Sequence, residues 1–302
     1  MRPLGPFDLA NQNRYFNPWP TLPGDPRSVV MAFPVEGWSG SAAVVLRQAE
    51  PDGDVDVQVV GSDPAAATEQ ALAAISLDVD GTAWPAIGTR TPLLGELQQK
   101  HAYLRPSMFH SPYEAAAAFV IGHRISIVQT RRIRQRLAEQ AGETIEVDGT
   151  PFAAFPGPDT LLRIDSVDGV AAAKVERLHG VAHAALDGLL DRSRLRSLPE
   201  AQALAELRTI PGIGPFFAEA ILSRGVGVPT SMPHDPMSLT AVQRAFELPE
   251  GPTAAEADRL TEAWQPLRMW AMVLLHVALR EERGAEGVRV GGARSASRPA
   301  AG

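Results

Sequence analysis

The sequence predicts a mainly helical protein with a small α+β domain at its N-terminus. Three observations carry this. Residues 29–33, 42–48 and 55–60 are β-branched runs bounded by Pro34, Gly37, Gly40, Pro51 and Gly53, the punctuation of short strands. From Ser111 onward, helix start signals recur to the end of the chain, each followed by an apolar stripe at helical spacing. Near residue 210, Ile210-Pro211-Gly212-Ile213-Gly214 separates two amphipathic segments by a turn too tight for anything but glycine.

Taken in order, residues 1–27 are rich in Pro, Asn and Gly and read as irregular, with an aromatic cluster at Arg14-Tyr15-Phe16-Asn17-Pro18-Trp19 that packs on a core. After the three strands, Asp63-Pro64 caps and opens a helix to about residue 75. Residues 84–105 read as a linker with a short helix at 92–100. Ser111-Pro112-Tyr113-Glu114 is a capping pattern that launches a helix through 115–121. The next helix, 126–140, carries Arg131, Arg132, Arg134 and Arg136. Asp148-Gly149 marks a hairpin within 143–155. Helices are expected at 159–165, 170–190, 200–209, 215–224, 236–246, 253–263 and 267–283. Residues 284–302 are Gly, Ala, Ser and Arg with little to bury, and a disordered tail is expected there. The domains are therefore drawn as 1–105, 106–283 and the tail 284–302.

Composition limits the function classes. The chain has 302 residues, 45% apolar and 21% charged, which suits a folded protein with an ample core. No apolar run approaches a membrane span, and the first residues hold no apolar signal core, so no membrane partner and a cytoplasmic (in a bacterium, nucleoid-associated) location are expected. There is no cysteine, which excludes disulfides, thiolate zinc sites and a cysteine-ligated iron–sulfur cluster. The net charge of −7 argues mildly against a nucleic-acid partner. Its distribution weakens the objection. Residues 1–100 hold twelve acids and six bases, and no acid falls between Glu114 and Glu139, where Arg124 and four other arginines lie.

Two places carry chemistry. The first is the hairpin, where closely spaced glycines and Pro215 at a helix start expose backbone N–H groups to one anion. No GxxxxGK[ST] or strand-following GxGxxG is present, so a nucleotide loop of either kind is not supported. The second is Asp235 in Pro233-His234-Asp235-Pro236. It is an N-cap by its position. A carboxylate fixed by backbone N–H groups is also able to stabilise a cation and orient water.

Hairpin and aspartate together resemble the helix-hairpin-helix (HhH-GPD) DNA glycosylases. Their L-P-G-[VI]-G pattern is met by Ile210 to Gly214, and their catalytic aspartate follows about twenty residues on, across a Gly/Pro-rich loop. Trp264-Gln265-Pro266-Leu267-Arg268, before an apolar helix with His276, resembles the W-x-P-x-R element of the 3-methyladenine DNA glycosylase II branch. The likeness runs over about 106–283. It implies a mainly α helical HhH-GPD glycosylase fold, Asp235 as the catalytic carboxylate, and a DNA phosphate on the N–H groups of Gly212, Gly214 and Phe217. It also implies a monovalent cation on the backbone carbonyls of Arg208, Ile210 and Ile213. Ile121-Gly122-His123-Arg124-Ile125-Ser126 is similar to the I-L-G-Q-Q-V-S element, which fills the gap left by an extruded base. His123 and Arg124 replace its two glutamines and are expected among the DNA-binding residues, with Arg124 filling the gap or holding a phosphate and His123 otherwise packing or capping. Phe216 stands where lyase members carry a Schiff-base lysine, so no lyase activity is expected. It packs in the core or, with Pro236 and Ala278, lines the base pocket. Pro236, Ala278 and Leu279 replace aromatics common in members that remove alkylated purines. Lys174 is read as a solvated face residue, and Trp264 and Arg268 as structural, with Arg268 pairing a carboxylate near the site. The expected partner is double-stranded DNA with a damaged base, bound by a monomer. The alternatives are an inactive damage-binding protein on the same scaffold, or a glycosylase for a deaminated base or bulky adduct.

Overall fold

The three β-branched runs form one antiparallel sheet, β1 (Ser28–Pro34), β2 (Ser41–Gln48) and β3 (Val55–Gly61), in the order β1-β2-β3. Val29 pairs with Leu46, Met31 with Val44 and Phe33 with Ala42. These six side chains face one layer, with Ala67 and Ala71 of the helix that Asp63 caps. The alternate residues Val30, Ala43 and Val45 face a second layer formed by Ile145, Val147 and Phe152 of a hairpin much later in the chain. Both faces of β1 and β2 are thus covered, which accounts for two strands that are apolar along most of their length, while the edge strand β3 alternates with Asp56 and Gln58.

The computed structural model describes the backbone of residues 1–16 and 19–295 and the side chains of 1–15 and 19–282. The helices are α1 (Leu9–Phe16), α2 (Pro64–Ala74), α3 (Trp84–Gly88), α4 (Pro92–Lys100), α5 (Pro112–Gly122) and α6 (Ile127–Ala141), followed by the hairpin β4 (Thr144–Val147) and β5 (Thr150–Ala153). Then come α7 (Pro158–Leu161), α8 (Ala172–Leu186), α9 (Arg192–Ser197), α10 (Glu200–Leu207), α11 (Pro215–Ile221), a π-helical turn at Leu222–Val226, α12 (Pro236–Ala245), α13 (Ala254–Thr261) and α14 (Arg268–Ser295). The helices surround two cores. One is built on α5, α8, α10 and α11, with Ile121, Leu178, Leu207 and Ile221 at its centre. The other is built on α4, α12 and α14, around Trp84, Trp264 and Trp270.

Several elements differ from the sequence expectation. Residues 9–16, read as irregular, form α1, because Asp8 Oδ1 accepts from Asn11 N and Gln12 reaches across to Arg105 O. The expected helix 170–190 ends at Leu186, and α9 is a separate helix started by the Asp191 cap. Packing cuts across the division drawn at residue 105. Trp84 and Leu94 lie in the core with α14, and the β4–β5 hairpin completes the N-terminal sheet. Helix α14 runs on through Ser295, into the stretch expected to be disordered, and 296–302 lie outside the described residues. No helix of the described residues is long and apolar enough to cross a membrane.

Candidate functional site

The hairpin is held from below by apolar side chains and left open above. Leu207 is fully buried, and Ile210 and Ile213 are nearly so, which anchors the turn between α10 and α11. Within it, Ile213 N donates to Ile210 O at 3.0 Å. Gly212 takes φ +88°, in the left-handed region that glycine tolerates. A Cβ there would also lie 2.7 Å from Cδ of Arg177, whose side chain lies across the turn. Gly214 differs: its φ is −87° and a Cβ would meet nothing within 4 Å. Among the described residues, the N–H groups of Gly212, Gly214 and Phe217 find no acceptor within the protein. Three donors on one turn, two of them on exposed glycines, make an anion cradle. The carbonyls of Arg208 and Ile213 accept from no backbone N–H among the described residues, and Ile210 O has one lone pair engaged.

Beyond α11 the chain enters the π-helical turn. Here Gly225 is required for close approach, since a Cβ would lie 2.8 Å from Cβ of Ala115 and 3.0 Å from Cα of Pro112 on α5. Arg196 closes this turn by donating to Val226 O and Gly227 O. Met269 N donates to Pro229 O, which ties the following loop to α14. Glu219 on α11 accepts from His234 N at 3.3 Å, and this bond links the hairpin helix directly to the residue before Asp235.

Asp235 is the N-cap of α12. Its Oδ1 accepts from Met237 N at 2.9 Å and Ser238 N at 3.3 Å, and its Oδ2 accepts from the Ser238 hydroxyl. The residue is half-buried at the start of α12. The oxygen of Ser238 in turn lies 3.1 Å from Nε2 of His276 on α14. Burial pushes the His276 imidazole down to about 4, with Arg280 and Arg224 adding to that effect and Asp235 opposing it. On the other side, His234 Nε2 meets Asp258 Oδ1 at 3.0 Å, and Arg268 donates to the same oxygen at 2.6 Å. Arg268 therefore pairs a carboxylate beside the site, as its position suggested. Trp264 is wholly buried, stacked on Phe246 and bonded to Thr91, which makes it a packing residue.

The turn between α5 and α6 lies beside α11. His123 terminates α5 and sets its ring edge-on to Phe217, 5.8 Å between centroids, while Phe217 stacks on Phe119. His123 is thus a packed, capping residue. Arg124 is exposed, with φ +60°. Lys174 does not lie on a solvated face: its Nζ donates to Ile121 O at 2.8 Å and His123 O at 2.7 Å, plugging the carbonyl end of α5. The arginines of α6 also divide. Arg131 and Arg132 are exposed, whereas Arg134 turns inward to Glu114 at 2.8 Å, over Phe109. Burial pushes the Glu114 carboxyl up, but His110 and Arg134 outweigh it and hold the group below its ordinary value. Glu114 is therefore committed to this pair and not to a capping box; only its backbone N–H takes the Ser111 cap.

Of the expected pocket residues, Phe216 is 57% exposed and touches Phe217, which rules out core packing. Pro236 is exposed at the start of α12, and Ala278 packs in the core with α12 and α14. Two residues escaped the sequence reading. Ile127 and Val128, in the first turn of α6, are 61% and 56% exposed. Their signal was available: Ser126 and Gln129 form a reciprocal capping box around two apolar residues that fall off the buried stripe of Ile133 and Leu137.

No protein-family model matches the chain. A Bacillus subtilis DNA-3-methyladenine glycosylase is 26% identical over 204 residues, covering 66% of this chain and 67% of that protein; the chain thus matches about two thirds of this relative's length. Among solved structures, a 3-methyladenine DNA glycosylase from Archaeoglobus fulgidus superposes with TM-score 0.74 at 18% identity, over 93% of this chain and 97% of that one. An 8-oxoguanine glycosylase/lyase from Clostridium acetobutylicum, in complex with duplex DNA, gives 0.67 at 18% identity, over 92% and 93%.

Proposed function

From a chain that has the helix-hairpin-helix DNA glycosylase fold, we propose a monofunctional DNA glycosylase that removes an alkylated base by hydrolysis. The observation that carries this is the Asp235 carboxylate, fixed by two backbone N–H groups and a hydroxyl and tied through His234 and Glu219 to a hairpin with three open N–H donors. A phosphate seated on Gly212, Gly214 and Phe217 places the duplex backbone at one end of this assembly, and Asp235 stands at the other. The exposed Arg124, Arg131 and Arg132 supply further phosphate contacts and make binding salt-dependent in spite of the acidic whole.

The target nucleotide leaves the stack, because its glycosidic bond is out of reach inside the duplex. The bond from C1′ to the base nitrogen then breaks, and its electron pair leaves with the base. Positive charge grows on the deoxyribose, as in other oxocarbenium-like cleavages. The Asp235 carboxylate stabilises that charge and orients a water, whose oxygen bonds to C1′ as one of its protons passes to the carboxylate and from there to solvent. A cationic alkylated purine leaves neutral, so no separate acid is needed. Phe216 offers no amine, so the sugar is not captured as a Schiff base. The carbonyls of Arg208, Ile210 and Ile213, two of them without a backbone donor among the described residues, would hold a monovalent cation beside the phosphate.

Single-turnover release of base from duplexes that each carry one defined lesion tests the reading. Release from an N-alkylpurine duplex, leaving an intact abasic strand, is the expected result. No release from any lesion, with lesion-selective binding retained, would favour the damage-binding alternative.

A further inference from the structure

Asp235 does not stand alone. Its Oδ2 accepts from the hydroxyl of Ser238, a fully buried residue one turn along α12. The oxygen of that hydroxyl lies 3.1 Å from Nε2 of His276, which reaches over from α14. An ionised carboxylate has no proton to give, so the Ser238 proton must point at Asp235. The serine oxygen is then the acceptor for His276, and Nε2 must carry a hydrogen. The chain of donors runs one way, from imidazole N–H to hydroxyl to carboxylate. Each bond polarises the next.

We propose that Ser238 and His276 are positioning residues for the glycosylase reaction: a buried relay that fixes the plane of the Asp235 carboxylate. The inference rests on Asp235 being the catalytic carboxylate. The relay adds what a cap cannot. The backbone N–H groups hold Oδ1 only, and a carboxylate held by one oxygen still rotates about its Cβ–Cγ bond. The Ser238 hydroxyl stops that rotation. A neutral His276 suits the role, because an imidazolium would place a second, competing charge behind the carboxylate. The groups facing the imidazole favour the neutral form: burial between α12 and α14, Arg280 one turn along its own helix, and Arg224 from the π-helical turn, against Asp235 alone. Arg131 of α6 faces Arg280 in turn.

Two measurements on the full chain test the relay. In the unaltered protein labelled with ¹⁵N-histidine, the His276 ring nitrogens should show the tautomer protonated at Nε2, unchanged as pH falls from 7 to about 5. The Nδ1-protonated tautomer, or an imidazolium at pH 6, would overturn the proposal whether or not any variant folds. The second measurement is single-turnover release of 7-methylguanine from a duplex by Ser238→Ala, His276→Phe and the double variant, beside Asp235→Asn. Ser238→Ala should slow release by about 10- to 100-fold, the worth of one hydrogen bond to a charged group. Its affinity for the duplex should stay within about twofold, the lesser change expected of a group that contacts no DNA. His276→Phe should slow the native enzyme but add little in the Ser238→Ala background, because the two act as one unit. Release by Ser238→Ala within about twofold of native, or fully additive effects, would overturn the relay. Loss of release in Asp235→Asn alone would then leave the catalytic reading standing, whereas unchanged release in Asp235→Asn would remove that reading itself.

Discussion

Replacing Lys174 with Met should loosen the turn that carries His123 and Arg124 without unfolding the protein. The stem of the side chain is kept, so packing changes little. What is lost is a cation that donates to Ile121 O and His123 O at 2.8 and 2.7 Å, at the negative end of α5. A hydrogen bond to a charged group contributes roughly 1.5–3 kcal/mol. His123 is partly exposed while Ile121 is buried, so water replaces the lysine at one carbonyl end, and the combined cost should be about 1–2 kcal/mol and local. The assay is amide hydrogen exchange without DNA, which separates the structural effect from the loss of a positive charge near phosphates. His123 N donates to Val120 O at 3.4 Å and Ile125 N to Gly122 O at 3.1 Å, so these two amides report the turn. They should exchange about tenfold faster in Lys174→Met, while amides of α14 keep their native rates. Unchanged exchange at His123 and Ile125 would refute the view that Lys174 holds this helix end.

The two hairpin glycines should separate. Gly212→Ala forces φ +88° on a residue with a Cβ and should cost about 1–2 kcal/mol of stability in denaturant melts. Gly214→Ala meets no neighbour and should leave stability within about 0.5 kcal/mol, yet weaken duplex binding because the methyl crowds the anion cradle; equal melts for both variants would contradict the turn geometry. Ile127 and Val128, exposed on the first turn of α6 beside Arg124, should barely move the melt when both are replaced with Ser but should weaken duplex binding; an unchanged affinity would place the DNA elsewhere. Glu36 and His276 should oppose each other in the pH dependence of stability. Burial raises Glu36 to about 7, against the pull of Arg192 at 3.7 Å, so its contribution is full below its unfolded value of 4.5 and is lost as pH rises to 7. His276, lowered to about 4, contributes fully above its unfolded value of 6.5 and loses that as pH falls to 4. Each effect is on the order of 2–3 kcal/mol, and between pH 4.5 and 6.5 the slopes cancel. Melts across that window should rise with pH in Glu36→Gln and fall with pH in His276→Phe, each relative to the native protein; parallel slopes would show that burial perturbs neither group.

What was legible in the sequence was local. The Asp63 and Ser111 caps, the Asp148-Gly149 turn and the Asp235 start are each set by a few neighbouring residues, and each stands where the pattern put it. The hairpin, the aspartate and the Trp264-to-Arg268 element pointed to the fold through their resemblance, in order and spacing, to one family. What was not legible depends on partners far away in the chain. Lys174 looks solvated until α5 ends against it, 51 residues away at His123. Arg134 looks like one more surface arginine until Glu114 and Phe109 take it in. The 84–105 stretch reads as a linker around one short helix, yet Trp84, Leu94 and Leu97 are buried in the core with α14, a partner far along the chain that no local pattern shows. The Ser238–His276 contact spans 38 residues and two helices, and nothing in the local pattern around Ser238 marks it.

Asp235→Asn tests the central claim most directly, because it separates cap from catalyst. Asn caps a helix about as well as Asp, and its side-chain oxygen still accepts from Met237 N and Ser238 N in the place of Oδ1. Single-turnover release of an alkylated base should be followed beside thermal melting and duplex binding of both proteins. If the carboxylate stabilises the sugar cation, the melt and the binding survive while release falls by about two to three orders of magnitude, the scale for one preorganised electrostatic group. Native release with a native melt would contradict the account and leave Asp235 as a helix cap alone.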